Sequence, residues 1–120
     1  PHCVVPCPDG LPTAAQLARR GAALAEHPAF LCGANVEFVH AVSPACLAVS
    51  VWERGSGATL ACGTGACAAA AAMVLQGVCR RCTPIEVQLP GGVLTVCISP
   101  DDTVQLTGDA VTVFTGEVDV

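Results

Sequence analysis

The sequence contains no lysine, and all five of its basic residues are arginines. Without lysine, the chain cannot supply the lysine of a phosphate-binding P-loop, and it cannot form a Schiff base with pyridoxal phosphate. Charged residues of all kinds make up only 12% of the chain, and the formal net charge is −5. This acidic balance argues against nucleic acid and against an anionic membrane surface as partners.

Long apolar runs are missing as well. Hydrophobic residues make up 52% of the chain, which excludes a disordered chain. Gly, Pro, Ser or a charged residue nevertheless interrupts every apolar stretch before it reaches the roughly 20 residues of a membrane span. The sequence therefore predicts a folded chain that does not cross a membrane. Its length fits a single domain over residues 1–120 with a single core.

Nine cysteines are present, which is a high and odd number. A disulfide framework is one explanation, but Cys46 and Cys97 lie in strand-like runs where a free cysteine serves as a small hydrophobe. A zinc site would have to start from Cys79 and Cys82, which form the only C-x-x-C pair and have no second pair at a suitable spacing. The sequence therefore favours free cysteines and predicts no metal site.

Apolar periodicity predicts two helices. The first is the segment TAAQLARRGAALAEH, with Thr13 as its N-cap and with Leu17, Ala18 and Leu24 near one face. The second extends from about residue 63 to Gly77, which is expected to follow its end as a C′ glycine. This second helix is rich in alanine and nearly apolar all round, so it should be central rather than lie on the surface.

Alternating apolar residues predict strands in several stretches. They are CVVP, NVEFVHAV and ACLAVSVWE, then a hairpin in IEVQLPGGVLTVCI around a Gly-Gly turn, and finally TVQLTG and VTVFTGEV. In the third stretch Leu47, Val49 and Val51 share one face, and Glu53 ends that face with a carboxylate. These elements predict an α+β class, with a mostly antiparallel sheet and one long buried helix.

The segment LACGTGACAAAAAMVLQG places Cys62 at the start of the second helix, where Ser, Asp or Asn is the usual N-cap. A helix N-terminus presents unpaired backbone N–H groups and a partial positive charge. Gly63 and Gly65 would let a ligand approach that backbone, and Thr64 adds a hydroxyl and a further N–H. The pattern predicts a site for a carboxylate or a phosphate, and the helix end favours the thiolate form of Cys62.

Three interpretations of this segment stay open from the residues alone. Cys62 is a small packing residue at the start of a structural helix, or the segment binds a phosphate or nucleotide, or Cys62 is a nucleophile or base acting on a carboxylate substrate. The missing lysine and the absence of a G-x-G-x-x-G order weaken the second interpretation. A nucleophilic cysteine hydrolase needs a histidine partner, and the spacing of His2, His27 and His40 does not select one.

The stretch VWERGSGATLACGTGACAAA, residues 51–70, resembles the second catalytic segment of the diaminopimelate epimerases. PHCV at residues 1–4 is similar to the family's N-P-H motif without its Asn. NVEFV, LPGGVLTV and LTGDAVTVFTGEV also resemble strings of the family, so the resemblance extends to about residue 118. Asp109 departs from the Pro that the family usually has. Proline racemases, which share the C-G-T-G turn without the preceding W-E-R-G, are the second choice.

The resemblance implies a diaminopimelate-epimerase-like fold, with a curved sheet (an open barrel) around the alanine-rich helix. It also implies an isomerase that interconverts LL- and meso-diaminopimelate in lysine biosynthesis without a cofactor. In this reaction one cysteine thiolate removes the α-proton, and a second thiol returns a proton from the opposite face. Cys62 would be one of the two cysteines, and the other would lie in an N-terminal half missing from this chain, which should be inactive alone.

The resemblance assigns roles to residues near Cys62. Backbone N–H groups of Gly63 and Thr64 would bind the reacting α-carboxylate of the small-molecule substrate. Cys67, one helical turn further along, is expected to serve packing. A homodimer is compatible with the family, as is a location in the cytoplasm or, in an alga or plant, in the plastid stroma. The rival interpretation is a non-catalytic module that binds a carboxylate or phosphate, for which a thiol at Cys62 would be unnecessary.

Four further residues receive roles from the resemblance. Asn35 and Arg54 would hold the distal, non-reacting amino-acid end of the substrate. Glu53 and His2 would lie beside the thiols, contact the reacting amino group and adjust the acidity of the thiols.

Overall fold

The computed structural model describes residues 1–119 and contains two helices and seven strands in that range. In chain order they are β1 (His2–Pro6), α1 (Ala14–Ala25), β2 (Asn35–Ser43), β3 (Cys46–Glu53), β4 (Gly57–Thr59), α2 (Gly63–Leu75), β5 (Ile85–Leu89), β6 (Gly92–Ile98) and β7 (Val104–Thr107). Neither helix in this part of the chain has the length and apolar character needed to cross a bilayer.

The strands form one sheet in the order β1-β2-β3-β5-β6-β7, and the short β4 pairs with β3 outside that path. β1 with β2 and β3 with β5 are parallel, whereas the other pairings within residues 1–119 are antiparallel. The predicted hairpin is β5 and β6, which meet at the pair Leu89 and Gly92. The predicted α+β class and mostly antiparallel sheet are therefore confirmed.

Helix α1 packs on one face of β2 and β3, and its start is fixed by a capping box. The Thr13 hydroxyl accepts a hydrogen bond from the Gln16 backbone N–H at 3.3 Å, and the Gln16 side-chain oxygen accepts one from the Thr13 N–H at 2.9 Å. Gly21 is buried directly against Trp52. A β-carbon at Gly21 would lie only 2.6 Å from the Trp52 side chain, so the contact requires glycine. Ala18 is exposed, so its predicted place on the packed face is wrong.

Helix α2 lies on the opposite face and contacts all six strands of the main path, so the sheet curves round it. Its Ala66, Ala69, Ala70 and Met73 are buried in the larger core cluster. Alanine has little bulk, which lets the sheet approach the helix closely. The predicted central helix is confirmed on this side. Apart from the buried Gly65, the remainder of the helix is half-buried or exposed. Periodicity alone did not predict this, because it does not show what covers each face.

The predicted strand in VTVFTGEV is wrong for this chain. Residues 108–119 contain no helix or strand and are exposed, and Val111, Val113, Phe114 and Val118 are each more than 80% exposed. Alternating apolar residues indicate a strand only if a neighbouring strand supplies hydrogen bonds. Among residues 1–119, β7 ends the sheet and no strand follows it.

Candidate active site

The thiol of Cys62 occupies the N-cap position of α2. Cys62 is extended, with φ −142 and ψ 110, and its sulfur accepts a hydrogen bond from the Gly65 backbone N–H at 3.3 Å. The sulfur also lies 3.6 Å from the Thr64 hydroxyl oxygen. Cysteine thus replaces the usual capping oxygen as the acceptor. The half-buried thiol stands where the helix field favours an anion.

The first two backbone N–H groups of α2 are free to bind a ligand. Gly63 and Thr64 have no hydrogen-bond acceptor for their N–H groups among residues 1–119. Unpaired N–H groups at a helix start are the usual donors to a bound carboxylate or phosphate. The arrangement can therefore hold an anionic group beside the Cys62 sulfur.

A buried glutamate lies under the first turn of α2. Glu37 of β2 is 0% exposed, and its Oε1 lies 2.7 Å from Nδ1 of His2, which is in β1. Its other oxygen, Oε2, has no hydrogen-bond partner among the described residues. Burial raises the pKa of the Glu37 carboxyl above its ordinary value, and the hydrogen bond and charge of His2 oppose that change.

Gly65 lies between the Glu37 carboxylate and the Cys62 thiol. A β-carbon built on Gly65 would lie 2.8 Å from Oε1 of Glu37 and 3.2 Å from the sulfur of Cys62. Both groups therefore flank the same point on the helix, and only glycine leaves room for them. The structure brings Cys62, Gly65, Glu37 and His2 together in this way, from three different elements.

The predicted residues for the distal end of the substrate form a second group. The Asn35 side-chain oxygen accepts a hydrogen bond from the Arg54 backbone N–H at 2.9 Å. The Arg54 guanidinium donates to the Cys32 backbone carbonyl. Glu53 accepts a hydrogen bond from the Thr59 hydroxyl at 2.6 Å. No hydrogen bond within residues 1–119 joins Cys62 directly to His2 or Glu53, so their predicted contacts with the thiol stay predictions.

The two groups lie at the same end of the strands β1, β2 and β3. His2 begins β1, Asn35 begins β2 beside it in parallel register, and Glu53 ends the antiparallel β3. The turn after β3 leads through β4 to Cys62 at the start of α2. The topology therefore gathers the residues that the resemblance had named, although they are up to 62 positions apart in the chain.

Glu37 is the residue that the sequence reasoning missed. It lies between the apolar Val36 and Phe38 of β2, on the same face of the strand as the buried Val39. A charged residue at a core position of a strand is uncommon and was a usable signal.

All nine cysteines are free thiols in the described chain. Burial raises the pKa of the Cys67 thiol, and the neighbouring Cys62 adds to that shift, which fits the expected packing role of Cys67. Residues 1–119 contain no group of three or more His, Cys, Asp or Glu arranged to hold a metal ion. The Cys79 thiol is buried in the core cluster, whereas Cys82 is exposed.

Comparison with known proteins identifies the family. A family model described as diaminopimelate epimerase matches residues 1–118. The chain belongs to the diaminopimelate epimerase family. Curated relatives of that name are 45% identical over 120 residues in Synechococcus elongatus, 50% identical over 119 residues in Desulforudis audaxviator and 47% identical over 116 residues in Bacillus subtilis.

The matches cover nearly all of this chain and less than half of each relative. The share of this chain is 100% for the Synechococcus protein, 98% for the Desulforudis protein and 97% for the Bacillus protein, and the share of each relative is 41%, 41% and 40%. Among solved structures, a phenazine biosynthesis protein of the PhzF family from Bacillus anthracis has a similar fold, with a TM-score of 0.57 and 12% identity. That match covers 79% of this chain and 30% of the other.

Proposed function

We propose that this chain is one catalytic half of an epimerase that interconverts LL- and meso-diaminopimelate without a cofactor. The observation that carries the proposal is the Cys62 thiol at the start of α2, next to the unpaired N–H groups of Gly63 and Thr64. Membership of the epimerase family supports the choice of substrate.

In the proposed reaction the α-carboxylate of the substrate binds the N–H groups of Gly63 and Thr64. This contact places the α-carbon beside Cys62. The Cys62 thiolate takes the α-proton and becomes a thiol, and a thiol on the opposite face gives its own proton to the carbanion. In the reverse direction the two sulfurs exchange roles. An α-proton is weakly acidic, so the base must already be positioned when the substrate arrives.

The distal end of the substrate is assigned to Asn35 and Arg54. The Arg54 side chain now donates to a carbonyl of its own chain and is exposed, so it is available to exchange that bond for a carboxylate. Guanidinium binds carboxylate through two parallel hydrogen bonds, which fixes orientation as well as affinity. Glu53 and His2 are assigned to the reacting amino group.

The second thiol is assigned to a partner half. The chain spans about 40% of the length of the curated relatives it matches, which leaves room for such a half. The exposed apolar side chains of residues 108–119 supply a surface on which that half can pack. Assembly of two complete proteins into a homodimer is a further part of the proposal.

A site with two facing thiols requires a reducing compartment, because the sulfurs would otherwise form a disulfide. The proposal therefore places the protein in the cytoplasm, or in the plastid stroma of an alga or plant, within lysine biosynthesis. Activity of the complete protein should fall when it is treated with an oxidant and return with dithiothreitol. Full activity after stoichiometric oxidation would contradict the paired-thiol site.

The decisive test is Cys62→Ser in a complete protein that joins this chain to the N-terminal half. Serine preserves the size and the capping acceptor, so affinity for a substrate analogue should change by less than about tenfold, or roughly 1.4 kcal/mol. Turnover should fall by about 10²- to 10⁴-fold because one proton-transfer group is lost. Calorimetry measures the affinity, and conversion of LL- to meso-diaminopimelate measures the turnover.

Cys67→Ser is the matched control, because Cys67 lies on the same helix and its half-buried thiol is assigned to packing. Its turnover should stay close to that of the parent. If Cys62→Ser instead turned over like the parent, the thiol would be only a helix cap. The non-catalytic carboxylate-binding module would then take the place of the epimerase.

A further inference from the structure

The buried carboxylate of Glu37 has no role in the reaction as described above. Burying an ionisable group costs free energy unless other groups compensate, and an apolar side chain of similar volume is often at least as stable. Glu37 is fully buried, and only one of its two oxygens has a partner among the described residues. Such a residue is unusual beside a core cluster that consists of Val, Leu, Ile, Ala, Met and Cys.

The partner of Glu37 is the histidine at the edge of the candidate site. Nδ1 of His2 lies 2.7 Å from Oε1 of Glu37, and the His2 side chain is 26% exposed. One nitrogen of the ring is therefore held in the core, while the ring itself reaches the surface. The same Oε1 lies against Gly65 in the first turn of α2, next to the sulfur of Cys62. Glu37 thus touches both the histidine and the helix that carries the thiol.

We propose that Glu37 is a positioning residue, whose ionised carboxylate accepts a hydrogen bond from the Nδ1–H of His2 and thereby presents Nε2 of His2 as a hydrogen-bond acceptor for the reacting amino group. The hydrogen bond that one ring nitrogen makes determines which nitrogen carries the proton in neutral imidazole. With the proton on Nδ1, the lone pair lies on Nε2. If Nε2 gains a proton, the resulting imidazolium is paired with the Glu37 carboxylate.

Several titratable groups act on this pair. From β1, His2 bonds to the carboxylate, and the Cys3 thiol has its pKa raised by burial and by the charge of Glu37. From the start of α2, the Cys62 sulfur lies near Gly65. From β3, the register partner of Glu37 is the apolar Val51.

The chain contains built-in references for a direct measurement of the tautomer. It has three histidines, and the other two are fixed by backbone partners. Nδ1 of His40 lies 2.8 Å from the Cys7 carbonyl oxygen, so it must carry a proton. Nδ1 of His27 accepts a hydrogen bond from the Ala29 N–H at 3.2 Å, so in the neutral ring the proton is on Nε2.

The experiment is ¹⁵N NMR of the reduced 120-residue chain labelled at histidine, at a pH about two units above the ordinary imidazole value of ~6.5. The His2 ring should give the Nδ1–H pattern of His40 rather than the Nε2–H pattern of His27. Signals are assigned by removing each histidine in turn. If the His2 ring instead gave the Nε2–H pattern of His27, the Glu37 carboxyl group would donate the hydrogen bond to Nδ1 of His2. That result, obtained with the unmodified protein, would overturn the proposal.

Glu37→Gln tests the cause of the tautomer. The amide keeps the shape of the side chain but removes its charge, so His2 should lose its preference for Nδ1–H and give an averaged or reversed pattern. Glu86→Gln is the matched control, because Glu86 is an exposed strand glutamate that bonds to Gln88 rather than to a histidine. An unchanged His2 pattern in folded Glu37→Gln would overturn the proposal, and the signals of His40 report whether the variant is folded.

The catalytic consequence rests on the proposed epimerase function and is measured separately. In the complete protein, Glu37→Gln should lower kcat by about 10- to 100-fold while KM changes by less than about threefold. Parent-like kcat in Glu37→Gln would contradict the catalytic consequence. Absence of epimerase activity in the parent would instead refute the proposed function and leave the tautomer result standing.

Discussion

At the scale of single residues, Cys62 and Glu37 differ in their burial and in their hydrogen bonding. The Cys62 sulfur is half-buried and accepts a hydrogen bond from the helix it caps, so it lies in an environment that tolerates negative charge. Glu37 is fully buried, and one of its oxygens lacks a partner among residues 1–119. The two groups flank Gly65, so a substitution at either one should change the environment of the other.

The raised pKa of Glu37 has a consequence for stability. Burial is the main cause of the shift, so the folded state binds the proton of Glu37 more tightly than the unfolded state does. The contribution of Glu37 to stability is then greatest below the unfolded pKa of about 4.3 and is lost as the pH rises through the folded pKa. We expect Glu37→Gln, which does not titrate, to gain stability relative to the parent as the pH rises above about 4.3.

Urea unfolding of both proteins at a series of pH values from acidic to neutral measures this difference. The quantity to plot is the free energy of unfolding of Glu37→Gln minus that of the parent. Glu86→Gln, which removes an exposed carboxylate, should show a much weaker dependence. A difference that fell with rising pH would mean that the His2 interaction outweighs burial.

At the scale of secondary structure, the start of α2 requires glycine for packing rather than for backbone conformation. In most helix positions, Gly→Ala stabilises a helix by up to about 1 kcal/mol. At Gly65 the new methyl group would lie 2.8 Å from Glu37 Oε1 and 3.2 Å from the Cys62 sulfur, so one of these must move. We expect Gly65→Ala to destabilise the chain by about 1–3 kcal/mol, as overpacking does.

Thermal unfolding of the reduced chain checks this sign. Gly63→Ala is the control, because it lies in the same turn and its β-carbon would meet only a flexible methyl group of Leu106, at 3.1 Å. The loss of thermal stability in Gly65→Ala should exceed the loss in Gly63→Ala. Equal effects would show that the first turn moves freely and does not hold the carboxylate and thiol in place.

At the scale of the whole molecule, one end of the chain exposes a row of apolar side chains. Val111, Val113, Phe114 and Val118 are exposed although the stretch alternates as a strand would. Exposed apolar patches of this kind mark interaction surfaces. The proposed N-terminal half would cover them and would also add the second thiol.

We expect the 120-residue chain alone to give no steady epimerisation, since one sulfur can exchange a proton on only one face of the α-carbon. Adding the separately produced N-terminal half should restore turnover. Phe114→Ser should weaken that association by about tenfold or more, because burial of a large apolar side chain contributes about 1.5–3 kcal/mol. Leu31→Ser is the control, because Leu31 is 98% exposed and lies far from this segment in the chain. Turnover by the chain alone at a normal enzyme rate would refute the requirement for a partner.

The sequence by itself determined the class of the fold and most of its helices and strands. The alternating residues of NVEFVHAV and ACLAVSVWE became β2 and β3, and the alanine-rich segment became α2, ending at Leu75 before Gly77. These predictions succeeded because hydrophobic periodicity and capping are local properties of the chain. The motif around Cys62 also located the candidate site, since a helix start with adjacent glycines and a thiol is encoded in consecutive residues.

Only the tertiary structure decided which distant residues meet and which predicted strand has a neighbour. Glu37 and His2 are 35 positions apart, and their contact depends on the parallel pairing of β1 with β2. The stretch VTVFTGEV has the local pattern of a strand, yet it is not a strand here because strand formation requires a hydrogen-bonding partner. Local patterns determine the conformations that a segment favours, whereas pairing and burial depend on the rest of the fold.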